Sequence, residues 1–329
     1  MERVVVLGSN SFSGSDFVDL LLERGGYEVH GVSRSPEKSA LFLPYLRRAG
    51  GPFTFHRLDL NGDMAQLRAL LDDLQPAFVV NFAAQSEVAP SWERPGQWFQ
   101  TNAVALTGLV HHLAQRAWLR RYVHISSPEV YGACVGTVRE DAPLNPSTPY
   151  AASKAAGDLS IFTYHKQYGF PFVMIRATNV YGAHQQLFKI IPRAFIRIRR
   201  GAAIELHGGG SAVKSYIHIR DVSRGEFAAM ESGRPGEIYH LSPDGGISVR
   251  ELVQRICALA RVPFATATRT VGERPGQDAA YVIDSAKART SFGWAPQVGL
   301  DEGLAGVRDW IDANWAAIER EPHDYRHQP

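Results

Sequence analysis

A tyrosine and a lysine four residues apart, Tyr150 and Lys154, are the residues whose types and spacing first indicate chemistry. They stand in a run of good helix formers, so their side chains would lie one turn apart on the same helical face. A lysine ammonium beside a phenol favours the phenolate, and we therefore expect it to lower the pKa of the tyrosine. Such a tyrosine could remove a proton from an alcohol while hydride leaves the same carbon. The spacing is also common on solvated helix faces, so other motifs must decide between the two interpretations.

The composition excludes several classes of partner. Of the 329 residues, 45% are hydrophobic, which is enough for one large core or two modest ones. The 35 basic and 33 acidic side chains nearly cancel, so nothing indicates nucleic acid or anionic lipid as a partner. Apolar runs in the sequence stay well short of the roughly twenty residues that a membrane span requires.

Two cysteines, Cys134 and Cys257, lie far apart in the sequence and lack the spacing of metal ligands. This usage argues for a reducing compartment and against a disulfide framework or a zinc site. The chain enters an apolar strand at once, without the basic region and long apolar run of a secretory signal. We therefore expect a soluble cytoplasmic protein that has no metal site.

A strand, a turn and a helix at the amino terminus strengthen the enzymatic interpretation. Residues 3–7 are apolar, Gly8 and Gly14 bound the following turn, and residues 16–24 have an amphipathic pattern. This arrangement points free backbone N–H groups at a pyrophosphate. Ser11 stands where a three-glycine phosphate loop has its middle glycine, and serine is small enough for close approach. An ordinary strand-to-helix turn is the alternative.

The end of the second predicted strand indicates which dinucleotide fits. In nucleotide-binding sheets of this kind an acidic residue at that point binds the adenosine ribose of NAD. This chain instead has Ser33, Arg34 and Ser35 there, followed by Lys38. Hydroxyls and a guanidinium suit a 2′-phosphate, so NADP is favoured over NAD. The alternative is that Arg34 is a solvated loop residue.

Predicted strands and helices alternate along the first three quarters of the chain. Strands are predicted over 3–7, 27–33, 53–60, 76–82, 122–127, 172–176 and 238–241, and helices over 16–24, 64–74, 98–118, 150–168 and 222–230. This alternation predicts an α/β fold with a doubly wound parallel sheet of the Rossmann type. Ligands bind at the carboxyl ends of such strands, which is where the motifs above fall.

After residue 179 the pattern changes and predicts a second, smaller unit. A strand is predicted over 216–219, a tight turn at 208–210, and helices over 190–200, 249–260, 284–292 and 303–317. We predict an NAD(P)-binding Rossmann domain over 1–178 and 217–245. A smaller, discontinuous α/β substrate-binding domain then comprises 179–216 and 246–317, and 318–329 form a polar, frayed tail.

Several motifs occur together in a fixed order along the chain. They are residues 8–14, Asp59-Leu60, residues 81–85, residues 126–132, the Tyr150/Lys154 pair, and residues 176–182, 274–278 and 292–296. Together they resemble the extended short-chain dehydrogenase/reductase family, and specifically its sugar-nucleotide epimerases and 4,6-dehydratases. The resemblance covers nearly the whole chain. It implies a nucleotide-diphosphate sugar as substrate and a homodimer formed by the helices at 98–118 and 150–168.

The resemblance also implies roles for individual residues that face the cofactor. Gly8, Ser11, Phe12 and Gly14 would hold the pyrophosphate, Asp59 and Leu60 would meet the adenine, Ala83 and Ala84 would lie along the cofactor, and Lys154 would bind the nicotinamide ribose. Ser33 and Arg34 complete this expected set at the adenosine ribose.

Further roles concern the sugar nucleotide. The resemblance makes Tyr150 the base for the sugar 4-hydroxyl and Ser127 the hydrogen-bonding partner of the same oxygen. The remaining expected substrate contacts are Gln85, Ser86, Asn179, Lys189, Lys214 and Arg274, of which Asn179, Lys214 and Arg274 would face the diphosphate. A solvated surface position is the alternative for Lys214 and Arg274. Glu87 departs from the family pattern, because dehydratases usually carry histidine there.

Glu129 indicates which reaction follows the oxidation. Epimerases of the family usually lack a carboxylate at this position, whereas 4,6-dehydratases and decarboxylases have a glutamate. Once C4 is a ketone, the C5 proton is acidic, and a carboxylate can remove it before water and hydride complete the reaction at C6. Pro128 departs from the pattern of the thymidine-diphosphate-glucose enzymes, which have aspartic acid there. Proline carries no side-chain proton, so Glu129 or a bound water must protonate the leaving hydroxyl.

These features predict a nucleotide-sugar 4,6-dehydratase of carbohydrate biosynthesis that yields a 4-keto-6-deoxy sugar nucleotide. A 4-epimerase or a decarboxylase on the same scaffold is the nearest alternative. A non-catalytic NADP-binding sensor is a more remote one. The sequence does not indicate which nucleotide or which hexose is bound.

Overall fold

The computed structural model describes residues 1–48, 50–133, 136–272 and 280–327. Its strands are β1 (Glu2–Leu7), β2 (Tyr27–Ser33), β3 (Phe53–Arg57), β4 (Phe78–Asn81), β5 (Arg121–Ile125), β6 (Thr137–Val138), β7 (Phe172–Ala177), β8 (Asn179–Tyr181), β9 (Ile204–His207), β10 (Val213–Lys214), β11 (Tyr216–His218), β12 (Glu237–Leu241), β13 (Ile247–Ser248), β14 (Thr268–Val271) and β15 (Ala280–Ile283).

The helices begin and end as follows: α1 (Phe12–Arg24), α2 (Met64–Leu74), α3 (Val88–Glu93), α4 (Pro95–Phe99), α5 (Leu106–Leu113), α6 (Pro149–Tyr168), α7 (Ile190–Arg199), α8 (Ile219–Ser232), α9 (Val249–Leu259), α10 (Phe264–Ala267), α11 (Ala286–Phe292), α12 (Leu300–Ala313) and α13 (Trp315–Ile318). Short 3-10 turns cover Pro44–Arg47, Pro128–Tyr131 and Gly208–Gly210, and a π-helical turn covers Gln100–Ala105.

Seven strands of the described chain form one sheet, in the order β3-β2-β1-β4-β5-β7-β12. Every neighbouring pair in it is parallel. The chain therefore starts in the middle of the sheet, winds outwards to β3, and returns to build the other half from β4. This is the predicted doubly wound Rossmann arrangement, and the prediction of the fold class is confirmed. The reversal between β1 and β4 opens a crevice at the carboxyl ends of these strands.

Burial on both faces explains why the strands are continuously apolar. In β1, Val4 and Val6 pack into a cluster with α1, α8 and α11, whereas Val5 and Leu7 pack into another cluster with α2, α5 and α6. All four side chains are fully buried. Successive side chains of a strand point to opposite faces, so a strand between two helical layers needs apolar residues at every position.

The predicted helix at 98–118 differs most from the structure. A helical segment begins at Pro95, widens into the π-helical turn Gln100–Ala105, and ends at Leu113. The wide turn brings the Asn102 side chain inward, where its amide donates to the Gln85 carbonyl and to the Ser153 hydroxyl, both at 2.9 Å. Hydrophobic periodicity does not register such a turn, because the apolar face continues on either side of it.

A separate apolar cluster joins α7, α9 and α12 beyond the main sheet. It lies within the predicted substrate-binding part of the chain, and the division into two domains stays a prediction. The strand predicted at 216–219 is present as β11, which pairs with β8, and the turn at 208–210 is also present. Short strands such as β8, β9 and β14 were not predicted, because three or four residues carry too little periodicity.

The last described residues pack against the body rather than fray. The His327 ring stacks on Trp98 with ring centroids 5.3 Å apart, and Tyr325 contacts Phe188 edge to face. Within the described ranges, none of the helices combines the length and the apolar character that crossing a membrane takes.

Asp221, near the start of α8, connects the main sheet to the segment that follows α11. Its carboxylate accepts from the backbone amides of Gln297 and Val298 at 2.8 and 3.0 Å and pairs with Arg224. Its backbone carbonyl accepts from the Trp294 indole at 2.8 Å. The carboxylate is fully buried, so these bonds are shielded from water. The motif at 292–296 thus has a structural role at this position.

We expect Asp221→Asn to lower the free energy of unfolding by about 2–3 kcal/mol, because the amide loses the charge and turns a donor towards backbone N–H groups. The midpoint of urea denaturation measures this loss. Asp244→Asn is the matched control, because that carboxylate is 89% exposed and pairs only with Arg289 in the described structure. Its midpoint should stay near that of the wild type. Equal losses in the two variants would contradict the role of Asp221.

Candidate functional site

The turn between β1 and α1 brings two segments of backbone very close together. Gly8 has a φ of +81°, and a Cβ atom there would lie 2.8 Å from the amide nitrogen of Ala83. A Cβ atom at Gly14 would overlap the carbonyl oxygen of Gly8. Both positions therefore require glycine, and the result is a cradle of bare backbone at the switch point of the sheet.

Ser11 shapes the turn that leads into α1. Its hydroxyl accepts from the Gly14 amide at 3.0 Å and caps α1, and its own amide donates to the Gly8 carbonyl at 2.9 Å. The Ser15 amide is also used, since it donates to the Ser11 carbonyl. The amides of Phe12 and Ser13 then remain in this first turn for a phosphate. The cradle fits a dinucleotide pyrophosphate, with Ser11 shaping the turn.

The loop after β2 is fastened to the cradle. The Ser33 hydroxyl accepts from the Asn10 amide at 3.0 Å, and the Lys38 ammonium donates to the Asn10 carbonyl at 3.0 Å. The Arg34 carbonyl accepts from the Arg57 guanidinium at 3.2 Å. The Lys38 ammonium and the Arg57 guanidinium therefore lie against the backbone where the adenosine ribose is expected. Burial lowers the pKa of Lys38.

Asp59 and Leu60 follow β3, next to this loop. Leu60 is buried, and the Asp59 carboxylate accepts from the Asn61 amide at 3.1 Å, so it stabilises the local turn. The loop after β4 is fixed in a similar way. The Ala83 amide donates to the Asn81 side chain and the Gln85 amide donates to Asn102, both at 2.9 Å. Ala83 and Ala84 are half-buried beside the cradle, Gln85 is buried, and Ser86 is exposed.

Helix α6 carries Tyr150 to the wall of a cavity of about 190 Å³. Thr148 caps the helix by accepting from the Ala151 amide at 3.1 Å, and Pro149 begins it. Ser127, Glu129 and Tyr150 line the cavity together with Asn179. Lys154 lies one turn after Tyr150, and its ammonium donates to the Ile125 carbonyl at 2.8 Å. The structure thus places Ser127, Glu129 and Tyr150 on one cavity, and it bonds Lys154 to the carbonyl of Ile125, which also lines that cavity.

The electrostatics of Tyr150 differ from the expectation. Burial raises the pKa of Tyr150 above its ordinary value, the negative charge of Glu129 adds to this effect, and a hydrogen bond with Ser127 opposes it. Burial also lowers the pKa of Lys154 to about 8. The predicted lowering of the Tyr150 pKa by Lys154 is therefore wrong for the protein alone. Desolvation of the phenol outweighs the influence of the neighbouring ammonium.

A buried network beneath the cavity was missed in the sequence. Asp158, one turn after Lys154 on α6, accepts from the Ser126 hydroxyl at 2.5 Å and from Arg176 at 2.8 Å. Arg176 also donates to the Tyr131 hydroxyl, which contacts His240 at 2.7 Å. Burial would raise the pKa of Asp158, but nearby His124, Arg176 and Lys154 lower it to about 2. The feature of the sequence that indicates this network is the four-residue spacing of Tyr150, Lys154 and Asp158, which places the three side chains on one face of the helix.

The expected substrate contacts are only partly gathered around the cavity. Asn179 lines it, and its side-chain amide donates to the Ser215 carbonyl at 3.2 Å. Lys189 instead donates to the Glu87 carboxylate at 2.6 Å, so these two residues form an ion pair. Lys214 is half-buried in β10. Arg274 lies outside the described residues.

Relatives with known activities resemble the whole chain. A dTDP-glucose 4,6-dehydratase from Xanthomonas campestris pv. campestris is 32% identical over 350 residues, which covers 97% of this chain and 95% of the relative. One from Streptomyces antibioticus is 33% identical over 333 residues, covering 97% of this chain and 96% of the relative.

Solved structures of related enzymes superpose closely. A dTDP-glucose 4,6-dehydratase from Streptomyces venezuelae, with NAD and TYD bound, has a TM-score of 0.87 at 30% identity and covers 96% of this chain and 98% of its own. A UDP-glucuronic acid 4-epimerase from Bacillus cereus, in complex with UDP-glucuronic acid and NAD, has a TM-score of 0.86 at 26% identity. It covers 94% of this chain and 99% of its own.

The model of one family, described as GDP-mannose 4,6 dehydratase, matches residues 5–307. The family match, the relatives and the superposed structures confirm the prediction of an extended short-chain dehydrogenase/reductase that acts as a nucleotide-sugar 4,6-dehydratase. The chain belongs to the GDP-mannose 4,6 dehydratase family.

Proposed function

We propose that Tyr150, Ser127, Lys154 and Glu129 carry out the 4,6-dehydration of a nucleotide-diphosphate hexose. The observation that carries this proposal is the position of Glu129, which lines the same cavity as Tyr150 and acts on the Tyr150 pKa. The tyrosine that would deprotonate the 4-hydroxyl and a second base thus line one small cavity. A 4-epimerase needs the tyrosine alone, whereas removal of the C5 proton needs the carboxylate.

The oxidation begins at the sugar 4-hydroxyl. Tyr150 takes the hydroxyl proton, and Ser127, already hydrogen-bonded to the phenol, orients the same oxygen. When bound, an oxidised nicotinamide ring supplies the acceptor for the C4 hydride and a positive charge that favours ionised groups nearby. Lys154 would hold the nicotinamide ribose, because its buried ammonium can exchange the Ile125 carbonyl for ribose hydroxyls.

Elimination follows at C5 and C6. Glu129 removes the C5 proton made acidic by the C4 ketone, the C5–H electron pair forms the C5–C6 double bond, and the C6–O bond breaks. Pro128 cannot protonate the departing hydroxyl. Glu129, protonated by the preceding step, supplies that proton, and water leaves. Transfer of the stored hydride to C6 and of a proton from solvent to C5 gives the 4-keto-6-deoxy sugar, and the proton that Tyr150 took from the 4-hydroxyl is released to solvent.

The diphosphate of the substrate would lie on the side of Asn179, Lys214 and Arg274. Asn179 has a side-chain amide at the cavity wall, and the two cations suit phosphate oxygens. The Lys189–Glu87 pair limits the role of Lys189, because an ammonium that is already paired offers less charge to a ligand. Gln85 and Ser86 remain proposed sugar contacts on the loop after β4.

NADP is the proposed cofactor. Lys38 donates to the Asn10 carbonyl and Arg57 to the Arg34 carbonyl, and the residues from Ser33 to Pro36 include no carboxylate that would repel a 2′-phosphate. The solved relatives from Streptomyces venezuelae and Bacillus cereus hold NAD, so NAD is the alternative that binding measurements must compare.

A homodimer is the proposed assembly. Helices α4 and α6 and the turn between α4 and α5 expose the large apolar residues Phe99, Val104, Leu159 and Tyr168, and Val104 and Leu159 are 58% and 56% exposed. A second copy that covers these residues would use the surfaces predicted from the family resemblance. The reducing cytoplasm is the proposed location, in keeping with the buried free thiol of Cys257.

We expect Glu129→Gln to reduce dehydration by about 10²- to 10⁴-fold, because the amide cannot remove the C5 proton. Reduction of the bound cofactor by the sugar nucleotide should remain detectable by absorbance. Loss of water from the sugar nucleotide is followed by mass spectrometry. Wild-type rates of dehydration in this variant would rule out Glu129 as the C5 base.

The same variant reports on the electrostatics of the cavity. Since the Glu129 charge raises the pKa of Tyr150, its removal should shift the pH profile of cofactor reduction to lower pH. Glu302→Gln, an exposed position on α12, is the matched control and should change neither the dehydration rate nor the profile.

Arg34→Ala should weaken binding of NADP+ roughly 10- to 100-fold and leave binding of NAD+ nearly unchanged, because the guanidinium would pair with a 2′-phosphate that NAD+ lacks. Quenching of intrinsic fluorescence gives both dissociation constants. Arg320→Ala, an exposed position beyond α13, controls for a general change of surface charge. Equal weakening of the two dinucleotides, or no weakening, would contradict the proposed preference.

A further inference from the structure

Glu226, in the middle of α8, is a buried carboxyl group that the proposed reaction does not use. Its side chain is fully buried. Neither of its carboxyl oxygens has a hydrogen-bond partner in the described part of the chain. It nevertheless lines the same cavity as Ser127 and Tyr150, opposite the catalytic residues of α6. A buried carboxyl group without partners is costly, so this one calls for a ligand.

Among the described residues, none offers Glu226 a cation. The charged group whose field reaches it is Asp16 on α1, which adds to the effect of burial and raises the Glu226 pKa further. Arg220, one helical turn and a half before Glu226, is engaged by Asp16 at 3.4 Å and by Asp19 at 2.5 Å. The Ser223 hydroxyl also donates to Asp16, at 2.7 Å. The Arg220 guanidinium and the Ser223 hydroxyl therefore already bond to carboxylates of α1.

The position of the cavity indicates what Glu226 faces. If Tyr150 and Ser127 hold the sugar oxygen, as in the proposed function on which this step rests, the hydride acceptor must lie beside them. The cavity next to these residues is walled by Ser13 of the phosphate cradle, by Thr178 and by Glu226. A dinucleotide whose pyrophosphate lies on α1 would place its nicotinamide end in this space.

We propose that the Glu226 carboxylate is the charge partner of the oxidised nicotinamide ring and makes the protein prefer the oxidised over the reduced cofactor. The ring carries a positive charge only when oxidised, so an unpaired carboxylate in a desolvated wall attracts that form selectively. Ser13 of the phosphate cradle lines the same cavity. Glu226 therefore acts on the cofactor, whereas Glu129 acts on the sugar.

This role links cofactor binding to protons. In the protein alone Glu226 stays protonated to a higher pH than an ordinary glutamate, because of burial and Asp16. Binding of the oxidised ring favours the carboxylate and so releases a proton, and affinity for the oxidised form rises with pH by up to about tenfold per pH unit. Tyr150 and Glu129 across the cavity and Asp16 and Arg220 behind it also titrate or carry charge. Comparison with a Glu226 variant isolates the contribution of this one group.

The test measures dissociation constants of NADP+, NADPH, NAD+ and NADH from about pH 6 to about pH 9, where glutamates of raised pKa titrate. The proteins are the wild type, Glu226→Gln, Glu226→Leu and the exposed control Glu319→Gln. For the wild type and the control, the preference for oxidised over reduced cofactor should increase with pH. For both Glu226 variants it should be independent of pH, and at high pH the oxidised form should bind about tenfold more weakly.

A second readout uses the protein without cofactor. Since the raised pKa keeps Glu226 protonated in the folded state, stability should fall as pH rises above the ordinary glutamate pKa towards the raised one. The urea midpoints of the wild type and Glu226→Leu should therefore diverge with increasing pH, and a constant difference would contradict a carboxyl group that burial keeps protonated. Glu226→Leu is the second variant because an apolar side chain suits the buried position.

The outcomes separate the two proposals. Equal pH dependence of the oxidised-to-reduced preference in the wild type and Glu226→Gln would overturn the role of Glu226, even if dehydration proceeds. A preference that depends on Glu226, combined with no loss of water from any nucleotide sugar, would leave the cofactor role standing and remove the proposed dehydration.

Discussion

A buried carboxylate, Asp158, joins the helix that carries Tyr150 and Lys154 to the ends of two central strands. It accepts from Ser126 after β5 and from Arg176 in β7, and both its own side chain and that of Arg176 are almost completely excluded from water. Removal of either partner would leave a charge in the interior, so the pair must form whenever the sheet and α6 pack. This constraint fixes where Ser127 and Glu129 lie relative to α6, because both follow closely after Ser126, which is hydrogen-bonded to Asp158.

The same low-dielectric interior determines the protonation states of the groups in the cavity. Burial keeps the Tyr150 phenol protonated in the protein alone, and Glu129 strengthens that tendency. The Glu226 carboxyl is protonated for the same reason. Under the proposed function, a positively charged ring in the cavity would make both groups more acidic. Cofactor binding and activation of the base would thereby be coupled electrostatically, in a cavity to which Glu129 already contributes a negative charge.

The catalytic roles of Ser127, Glu129, Tyr150 and Lys154 remain predictions from helical spacing and the family resemblance. The sequence itself predicted the sheet and the cradle, since each depends on local spacing or on the end of an apolar strand. It did not predict interactions between distant segments. The helix cap made by Ser11, the ion pair of Lys189 with Glu87, and the contacts of Arg176 depend on which loops meet in space. The prediction for the Tyr150 pKa was wrong for a related reason. Helical spacing places Lys154 near the phenol, but the direction of the pKa shift is decided by burial, which is a property of the assembled fold.

The central claim is that one cavity oxidises C4, removes the C5 proton and returns the same hydride to C6. Incubation of the wild-type protein with a nucleotide hexose that carries deuterium at C4 tests it most directly. The account predicts a product that has lost one water, retains the deuterium at C6, and acquires a solvent proton at C5. A product of unchanged mass, or deuterium lost to solvent during the loss of water, would contradict it.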